Sequence, residues 1–271
     1  MSPGWRWLAQ GVPTATLLAA TFLSACGGEG EEAGADSLLV LAAADLAVAF
    51  DELVPLYEAR TGESISVVFG STGNLAAQLR HGAPGDLFFS ANEAFLDGLI
   101  DAGRIEPASR SVYAIGRVAV VVPHGRSAPT GPEAIEDPSL RVVAIANPDH
   151  APYGVAAREV LEALGLWNAV EPRLVLGENV AQTLQFVRTG NADLGIVALS
   201  LLRGAPGEPL PYVLLDDVLH RPLRQVAGVV TTSRRADRAR AFLTFVLSPE
   251  GREILARFGF ERPELSAPGA P

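Results

Sequence analysis

Four turns of this sequence place polar residues where a predicted strand gives way to a predicted helix. In open α/β sheets, ligands bind beyond the carboxyl ends of the strands. A helix that begins there directs unpaired N–H groups and the positive end of its dipole at the ligand, which suits an anion without any cationic side chain. The sequence therefore predicts an anion site at these turns: Ala43-Ala44-Asp45, Gly70-Ser71-Thr72-Gly73, Pro152-Tyr153-Gly154 and Glu178-Asn179-Val180.

Each turn also has a purely structural interpretation. Asp45 and the pair Glu178-Asn179 are typical helix N-caps. Ser71 and Thr72 could form only a cap and a turn, and Tyr153 could be a surface aromatic residue. Two of the turns lie in the first half of the chain and two in the second. Their joint placement, more than any single residue, favours a ligand held in a cleft between two lobes.

The elements that must position these turns alternate along the chain. Apolar runs predict strands at 38–42, 65–69, 86–90, 117–122, 142–146, 174–176, 194–199 and 226–231. Apolar residues at helical spacing predict helices at 46–60, 74–81, 92–102, 154–164, 180–189, 235–247 and 249–258. This alternation predicts an α/β fold with mainly parallel sheets.

Composition and motifs exclude several function classes. The 271 residues include 31 Asp and Glu but only 21 basic residues, all of them Arg, for a formal net charge of −10. A chain without Lys has no Schiff base and no phosphate-loop lysine, and an acidic chain is a poor partner for nucleic acid. No G-x-S-x-G or H-E-x-x-H motif occurs, and the four histidines, at no metal-ligand spacing, are predicted to lie at the surface or in turns. A serine hydrolase using Ser71 is the weakest alternative, because no base is evident.

The N-terminus predicts export and lipidation. Residues 1–25 contain one charged residue, Arg6, and an apolar run over 12–23, which is the pattern of a signal peptide. The run ends in Leu23-Ser24-Ala25-Cys26-Gly27, which resembles a bacterial lipobox, and Cys26 is the only cysteine. We therefore expect a lipoprotein anchored by Cys26 outside the cytoplasm. The alternative is a chance cysteine after an ordinary secretory signal.

The two ends of the mature chain are predicted to be loose. Residues 26–36 are rich in Gly and acidic residues, which predicts a flexible tether between lipid and domain. Residues 262–271 contain three prolines and are predicted to form a loose tail. The folded part is then expected between residues 37 and 261.

Five segments, in this order, resemble the molybdate-binding proteins of ABC importers, over about residues 38–260. They are LLVLAAADL at 38–46, FGSTGNLAAQL at 69–79, GAPGDLFFSA at 82–91, IANPDHAPYG at 145–154 and DLGIVALS at 193–200. The resemblance implies a two-lobed architecture of the periplasmic-binding-protein type II, each lobe a mixed, mainly parallel sheet flanked by helices. We expect lobe 1 to contain 37–116 and 231–261, and lobe 2 to contain 117–230.

The resemblance also implies a function. Such a protein captures molybdate, and tungstate with it, and delivers the oxyanion to a membrane permease and its ATPase. It acts as a monomer, without enzymatic activity, cofactor or direct cation ligands. The oxyanion-binding positions implied are Asp45, Ser71, Thr72, Tyr153 and, through its backbone N–H, Val180. Another oxyanion, phosphate-like or sulfate, or another small ligand in the same fold, is the alternative. An effector domain of the LysR type fits less well, because it would have no signal sequence.

Asp45 needs a physical account, because the family's best-known members carry Ser or Asn there. A carboxylate beside a dianion in a partly dry site is repelled by several kcal/mol. In the favoured interpretation, the Asp45 side chain caps the helix and faces away, so that only its N–H meets the ligand. In the other, it binds a protonated oxyanion, such as phosphate or arsenate, which has a proton to donate to it. A second departure is Ala198, where one type of relative has a tyrosine that Tyr153 could replace.

Overall fold

The computed structural model describes residues 36–204 and 207–263. The predicted signal peptide, Cys26 and the tether up to residue 35 lie outside the described residues, as does the tail from residue 264 onward. Within the described part of the chain, no helix is both long enough and apolar enough to cross a membrane.

The described residues form ten strands and eight α-helices. The strands are β1 Leu38–Ala43, β2 Ile65–Gly70, β3 Leu87–Ser90, β4 Ser111–Gly116, β5 Val118–Val121, β6 Val143–Ala146, β7 Leu174–Gly177, β8 Leu194–Ala198, β9 Tyr212–Leu214 and β10 Leu223–Val229. The helices are α1 Ala47–Thr61, α2 Thr72–Arg80, α3 Glu93–Asp101, α4 Pro152–Ala163, α5 Trp167–Val170, α6 Val180–Arg188, α7 Ala236–Leu247 and α8 Pro249–Arg257. The described residues also form short 3-10 turns, among them Ala44–Leu46 and Leu199–Leu201.

The strands form two mixed sheets, one in each lobe. The first sheet has the order β2-β1-β3-β10-β4, with β1, β2 and β3 parallel and β10 antiparallel to both of its neighbours. The second has the order β7-β6-β8-β5-β9, with β6, β7 and β8 parallel and β5 antiparallel. The predicted α/β fold with two lobes and mainly parallel strands is confirmed.

Side-chain alternation along β1 explains why helices cover both faces of the first sheet. Leu38, Val40 and Ala42 pack with residues of α1, α7 and α8 on one face. Leu41 packs with residues of α2 and α3 on the other. Since successive side chains of a strand point to opposite faces, an uninterrupted apolar run is what a sheet buried on both sides requires. Gly62 ends α1 in the left-handed conformation, at φ 73°, which glycine adopts without steric cost.

The chain returns to the first sheet at an earlier residue than the sequence predicts. We expected residues 117–230 in lobe 2, but β10 begins at Leu223 and pairs with β3 and β4 of the first sheet. The strands β4 and β9 were not predicted at all. The sequence pattern misplaces the start of β10 because Arg224 and Gln225 interrupt its apolar run. The chain therefore crosses between the sheets at Arg117 and again within residues 215–222.

Candidate functional site

The sequence-predicted residues meet at one small cavity between the two sheets. Its volume, measured as the space open to the centre of a water-sized sphere, is about 10 Å³, which is far below the range of sites for drug-sized ligands and leaves room only for a small ligand. Among the residues that line it are all five predicted positions: Asp45, Ser71, Thr72, Tyr153 and Val180. The remaining lining residues are small or apolar except for one amide: Ala43, Ala44, Gly70, Ala91, Ala151, Pro152 and Asn179. None of these twelve carries a positive charge.

Three helices begin at this cavity, each with a different N-terminal cap. Ser71 caps α2, its Oγ accepting from the N–H of Asn74 at 3.4 Å. Asn179 caps α6, its Oδ1 accepting from two N–H groups at 3.0 Å each, so the predicted cap is confirmed. Ala151 caps α4 without a side-chain bond, and Pro152 supplies the first residue of that helix.

These caps leave one N–H group of each helix without a partner. Within residues 36–204 and 207–263, the N–H groups of Thr72, Tyr153 and Val180 have no protein acceptor. All three residues line the cavity. The helix dipoles add a partial positive charge at the same place. The arrangement can bind an anion by backbone groups alone.

Two hydroxyl groups add further donors, because their oxygen atoms already accept from the protein. The Thr72 Oγ1 accepts from the N–H of Ala91 at 3.0 Å, and the Tyr153 hydroxyl accepts from Gln225 Nε2 at 3.2 Å. The Thr72 hydroxyl keeps its own hydrogen for the cavity, and the Tyr153 hydroxyl can donate its hydrogen either to the cavity or to the Asp45 carboxyl group. Burial raises the pKa of Tyr153 well above its ordinary value, which keeps the phenol neutral. Gly116 makes room, since a Cβ there would collide with the Tyr153 hydroxyl.

Asp45 does not cap a helix, which corrects the favoured interpretation. It lies inside the 3-10 turn Ala44–Leu46, where Ala43 is the cap and makes no side-chain bond. The Asp45 side chain is fully buried and lines the cavity. The Ser200 hydroxyl donates to the Asp45 backbone carbonyl at 2.7 Å and so holds the turn in place. In this position the Asp45 carboxyl group points inward, toward Gln225 on β10. A cap pattern in the sequence cannot reveal this tertiary contact.

A buried polar network holds the Asp45 carboxyl group. The Tyr113 hydroxyl donates to Gln225 Oε1 at 2.6 Å, and Gln225 Nε2 donates to Asp45 Oδ2 at 2.5 Å. Within the described residues, Asp45 Oδ1 has no hydrogen-bond partner. Burial raises the pKa of Asp45 to about 6, and hydrogen bonds from Gln225 and then Tyr153 limit the rise.

No pattern in the sequence identifies Tyr113 or Gln225 as part of the site. Tyr113 lies on β4, which was not predicted, and Gln225 lies just before the predicted strand at 226–231. The available signal was a glutamine, fully buried in the structure, within a strand whose other residues are apolar except for Arg224. Such a residue needs a polar partner in the core.

Contacts between the lobes close the mouth of the cavity. The N–H of Gly73 donates to the His150 carbonyl at 2.9 Å, and Ser71 Oγ lies 2.8 Å from His150 Nδ1. Beside them, Asn74 Nδ2 donates to the Glu178 carboxylate. A Cβ at Gly73 would lie 2.6 Å from the His150 carbonyl oxygen, so only glycine allows this approach. No pattern in the sequence predicts a role between the lobes for His150 or Glu178.

Two mixed sheets around an anion cavity between lobes define a solute-binding protein. Residues 38–261 match the family model described as bacterial extracellular solute-binding protein. The chain belongs to this family, whose members bind solutes outside the cytoplasm and are not enzymes.

The particular relatives agree with this class. The chain is similar to "Molybdate-binding protein ModA" of Rhodobacter capsulatus, with 32% identity over 249 residues, covering 92% of this chain and 97% of the relative. It is 28% identical to "Putative ABC transporter substrate-binding lipoprotein YvgL" of Bacillus subtilis, covering 88% of this chain and 94% of the relative. The solved periplasmic molybdate-binding protein of Azotobacter vinelandii has a TM-score of 0.79 and 29% identity, covering 84% of this chain and all of that one.

Proposed function

We propose that this protein captures molybdate, and tungstate with it, in the cavity between its lobes. The observation that carries the proposal is the convergence of three unpaired helix N–H groups, at Thr72, Tyr153 and Val180, on a cavity without cationic side chains. The similarity to molybdate-binding relatives supports the choice of ligand. Tungstate has almost the same size and charge and should bind similarly.

Selectivity follows from fixed donors. Backbone N–H groups at helix starts cannot move inward without unwinding the helix, so they hold one ligand size. Sulfate is smaller than molybdate and would leave these hydrogen bonds stretched, which lowers its affinity. Because the oxygen atoms of the anion are the acceptors, the metal atom itself meets no protein ligand.

A proline at position 180 tests the backbone contact. Val180 is the first residue of α6, where proline is well tolerated and removes only the N–H. We expect Val180→Pro to bind molybdate about 10- to 100-fold more weakly, since a hydrogen bond to a charged group contributes about 1.5–3 kcal/mol. Val180→Ala keeps the N–H and is the matched control. Calorimetry with molybdate, tungstate, sulfate and phosphate measures both affinity and selectivity.

The outcome of these titrations decides the proposal. Binding of molybdate and tungstate in preference to sulfate, weakened by Val180→Pro and not by Val180→Ala, supports it. Equal affinities of the two variants would remove Val180 from the site, and no binding of either metal oxyanion by the unsubstituted protein would overturn the function.

Phosphate is the second candidate ligand, because of one observation at Asp45. Asp45 lines the cavity, and its Oδ1 has no hydrogen-bond partner within the described chain. An ionised carboxylate there could accept a hydrogen bond from a protonated oxyanion, and monohydrogen phosphate carries such a proton while molybdate at neutral pH does not. Phosphate binding tighter than molybdate in the same titrations would favour this candidate.

Delivery completes the proposed function. The protein would act as a monomer that hands the oxyanion to an ABC permease and its ATPase, with closure of the lobes creating the surface that the permease recognises.

The lipobox-like segment ending at Cys26 supports attachment to the membrane by a lipid, and a relative is named a lipoprotein. Substitution Cys26→Ser should move the protein from the membrane fraction to the soluble fraction. Its retention in the membrane would refute the anchor.

A further inference from the structure

An unpartnered carboxylate oxygen belongs to a residue that lines the proposed ligand site. Asp45 is fully buried, and its Oδ1 has no hydrogen-bond partner within residues 36–204 and 207–263. Its other oxygen, Oδ2, accepts from Gln225 at 2.5 Å. Buried polar atoms are nearly always paired, and an isolated buried charge is strongly disfavoured. Since Asp45 lines the cavity, a ligand bound there can supply the partner that Oδ1 lacks.

No positive charge reaches the Asp45 carboxyl group from the elements packed against it. Those elements present Tyr113 from β4, Gln225 from β10, Tyr153 from α4 and the hydroxyl of Ser200, which donates to the Asp45 carbonyl. Burial and the nearby Asp45 charge raise the pKa of both phenols well above the ordinary value, so they are neutral. An ionised Asp45 beside a dianion would therefore have no counter-charge.

The mouth of the cavity holds two more titratable groups, farther from Asp45. His150 lies against Ser71, with its Nδ1 at 2.8 Å from Ser71 Oγ. The Glu178 carboxylate lies 3.9 Å from His150 Nε2. Neither residue lines the cavity, so neither can neutralise the Asp45 carboxyl group by direct contact.

The orientation of Gln225 decides which oxygen of Asp45 can carry a proton. The Tyr113 hydroxyl donates to Gln225 Oε1 and so turns the amide nitrogen toward Asp45 and Tyr153. Because the amide nitrogen has only hydrogens to offer, Oδ2 must accept. A proton on Asp45 is then left to Oδ1, the oxygen without a protein partner.

We propose that Asp45 binds the oxyanion as a neutral carboxylic acid, donating its Oδ1 hydrogen to a ligand oxygen, so that each dianion enters the cavity with one proton. The proton comes from solvent, and no covalent bond to the ligand forms. This inference rests on the proposed function and adds to it that binding strengthens as pH falls. It makes Asp45 a donor, in contrast to the cap and the acceptor considered from the sequence.

The linkage has a predicted size. Burial places the pKa of Asp45 at about 6, and a dianion beside the carboxyl group raises it further. We therefore expect molybdate binding to take up nearly one proton at pH 7.5 and a smaller fraction of a proton at pH 5.5. Above pH 7, the dissociation constant should rise about tenfold per pH unit.

Calorimetry in two buffers that differ in ionisation enthalpy measures the proton uptake directly. The purified protein is titrated with molybdate at pH 5.5, 7.5 and 8.5, and so are two variants. In Asp45→Asn, the amide can accept from Gln225 and permanently present N–H to the cavity, so uptake should vanish and affinity should become independent of pH. In His150→Asn, the proton uptake should persist, which identifies Asp45 as its source.

Each result is decisive. Proton uptake by the unsubstituted protein that is lost in Asp45→Asn and kept in His150→Asn supports the inference. Molybdate binding at pH 7.5 without proton uptake overturns it while leaving the proposed function intact, and so does uptake that is lost only in His150→Asn. A preference for phosphate that occurs without proton uptake and is abolished in Asp45→Asn would show that Asp45 is an ionised carboxylate that accepts a hydrogen bond from the ligand. Failure to bind molybdate or tungstate at any pH would overturn the proposed function itself.

Discussion

Replacing Gly73 with alanine should prop the two lobes apart. A Cβ at this position would lie 2.6 Å from the His150 carbonyl oxygen and 3.0 Å from the His150 Cα, both of which are backbone atoms that cannot rotate away. Separation of the lobes would break the Gly73–His150 backbone bond of 2.9 Å and the Ser71–His150 contact of 2.8 Å. At about 1 kcal/mol each, these bonds stabilise the closed state by about 2 kcal/mol.

The predicted result is weaker ligand binding with little loss of fold stability. If the anion is held only when the lobes are closed, a loss of about 2 kcal/mol weakens the apparent affinity about 30-fold. Calorimetry with molybdate measures this, and small-angle X-ray scattering should show a larger radius of gyration for Gly73→Ala. Gly98→Ala is the matched control, since its Cβ meets only the end of Arg80 at 3.5 Å. An affinity for Gly73→Ala within threefold of the unsubstituted protein would refute the reasoning.

Three further predictions concern charge and the buried network. Because folding raises the Asp45 pKa from 3.8 to about 6, the buried carboxylate destabilises the ligand-free protein above pH 6 and not below pH 4. Urea unfolding should therefore show that Asp45→Asn is more stable than the unsubstituted protein by up to about 3 kcal/mol at pH 7.5, and that the two are equally stable at pH 4. An equal difference at both pH values would contradict this. Tyr153→Phe should weaken tungstate binding at least tenfold, because it removes a hydroxyl donor from the cavity, and calorimetry giving an unchanged affinity would remove that donor from the site. Since the chain carries a formal charge of −10 and the cavity has no cation, stopped-flow association rates should rise with ionic strength, and a fall would indicate an overlooked attractive patch.

The sequence was informative wherever local pattern decides structure. Apolar runs located the buried strands, and Asn179 was predicted as the cap that it is. The placement of Ser71, Thr72, Tyr153 and Val180 at strand-to-helix turns was sufficient to bring them to one cavity, because the carboxyl ends of parallel strands share one edge of a sheet.

What the sequence did not reveal depends on contacts between distant segments. Asp45 has the pattern of a cap, yet its carboxyl group meets Gln225, 180 positions later in the chain. Tyr113, which orients that glutamine, lies on a strand whose polar residues conceal its burial. His150 has its role only because the second lobe approaches Gly73. Local propensity carries no information about such partners.

The position of β10 also constrains how the chain acquires its structure during synthesis. The ladder partner of β4 is β10, more than a hundred positions later, and a further bridge joins Ile115 to Glu261. Until residues 223–229 are present, β4 therefore lacks its ladder partner, whereas β5 to β9 can pair with one another. A nascent chain truncated at residue 222 would expose the bare edges of β3 and β4, which are templates for aggregation. Quality control by proteases should therefore remove such fragments, even though most of the protein would already have been translated.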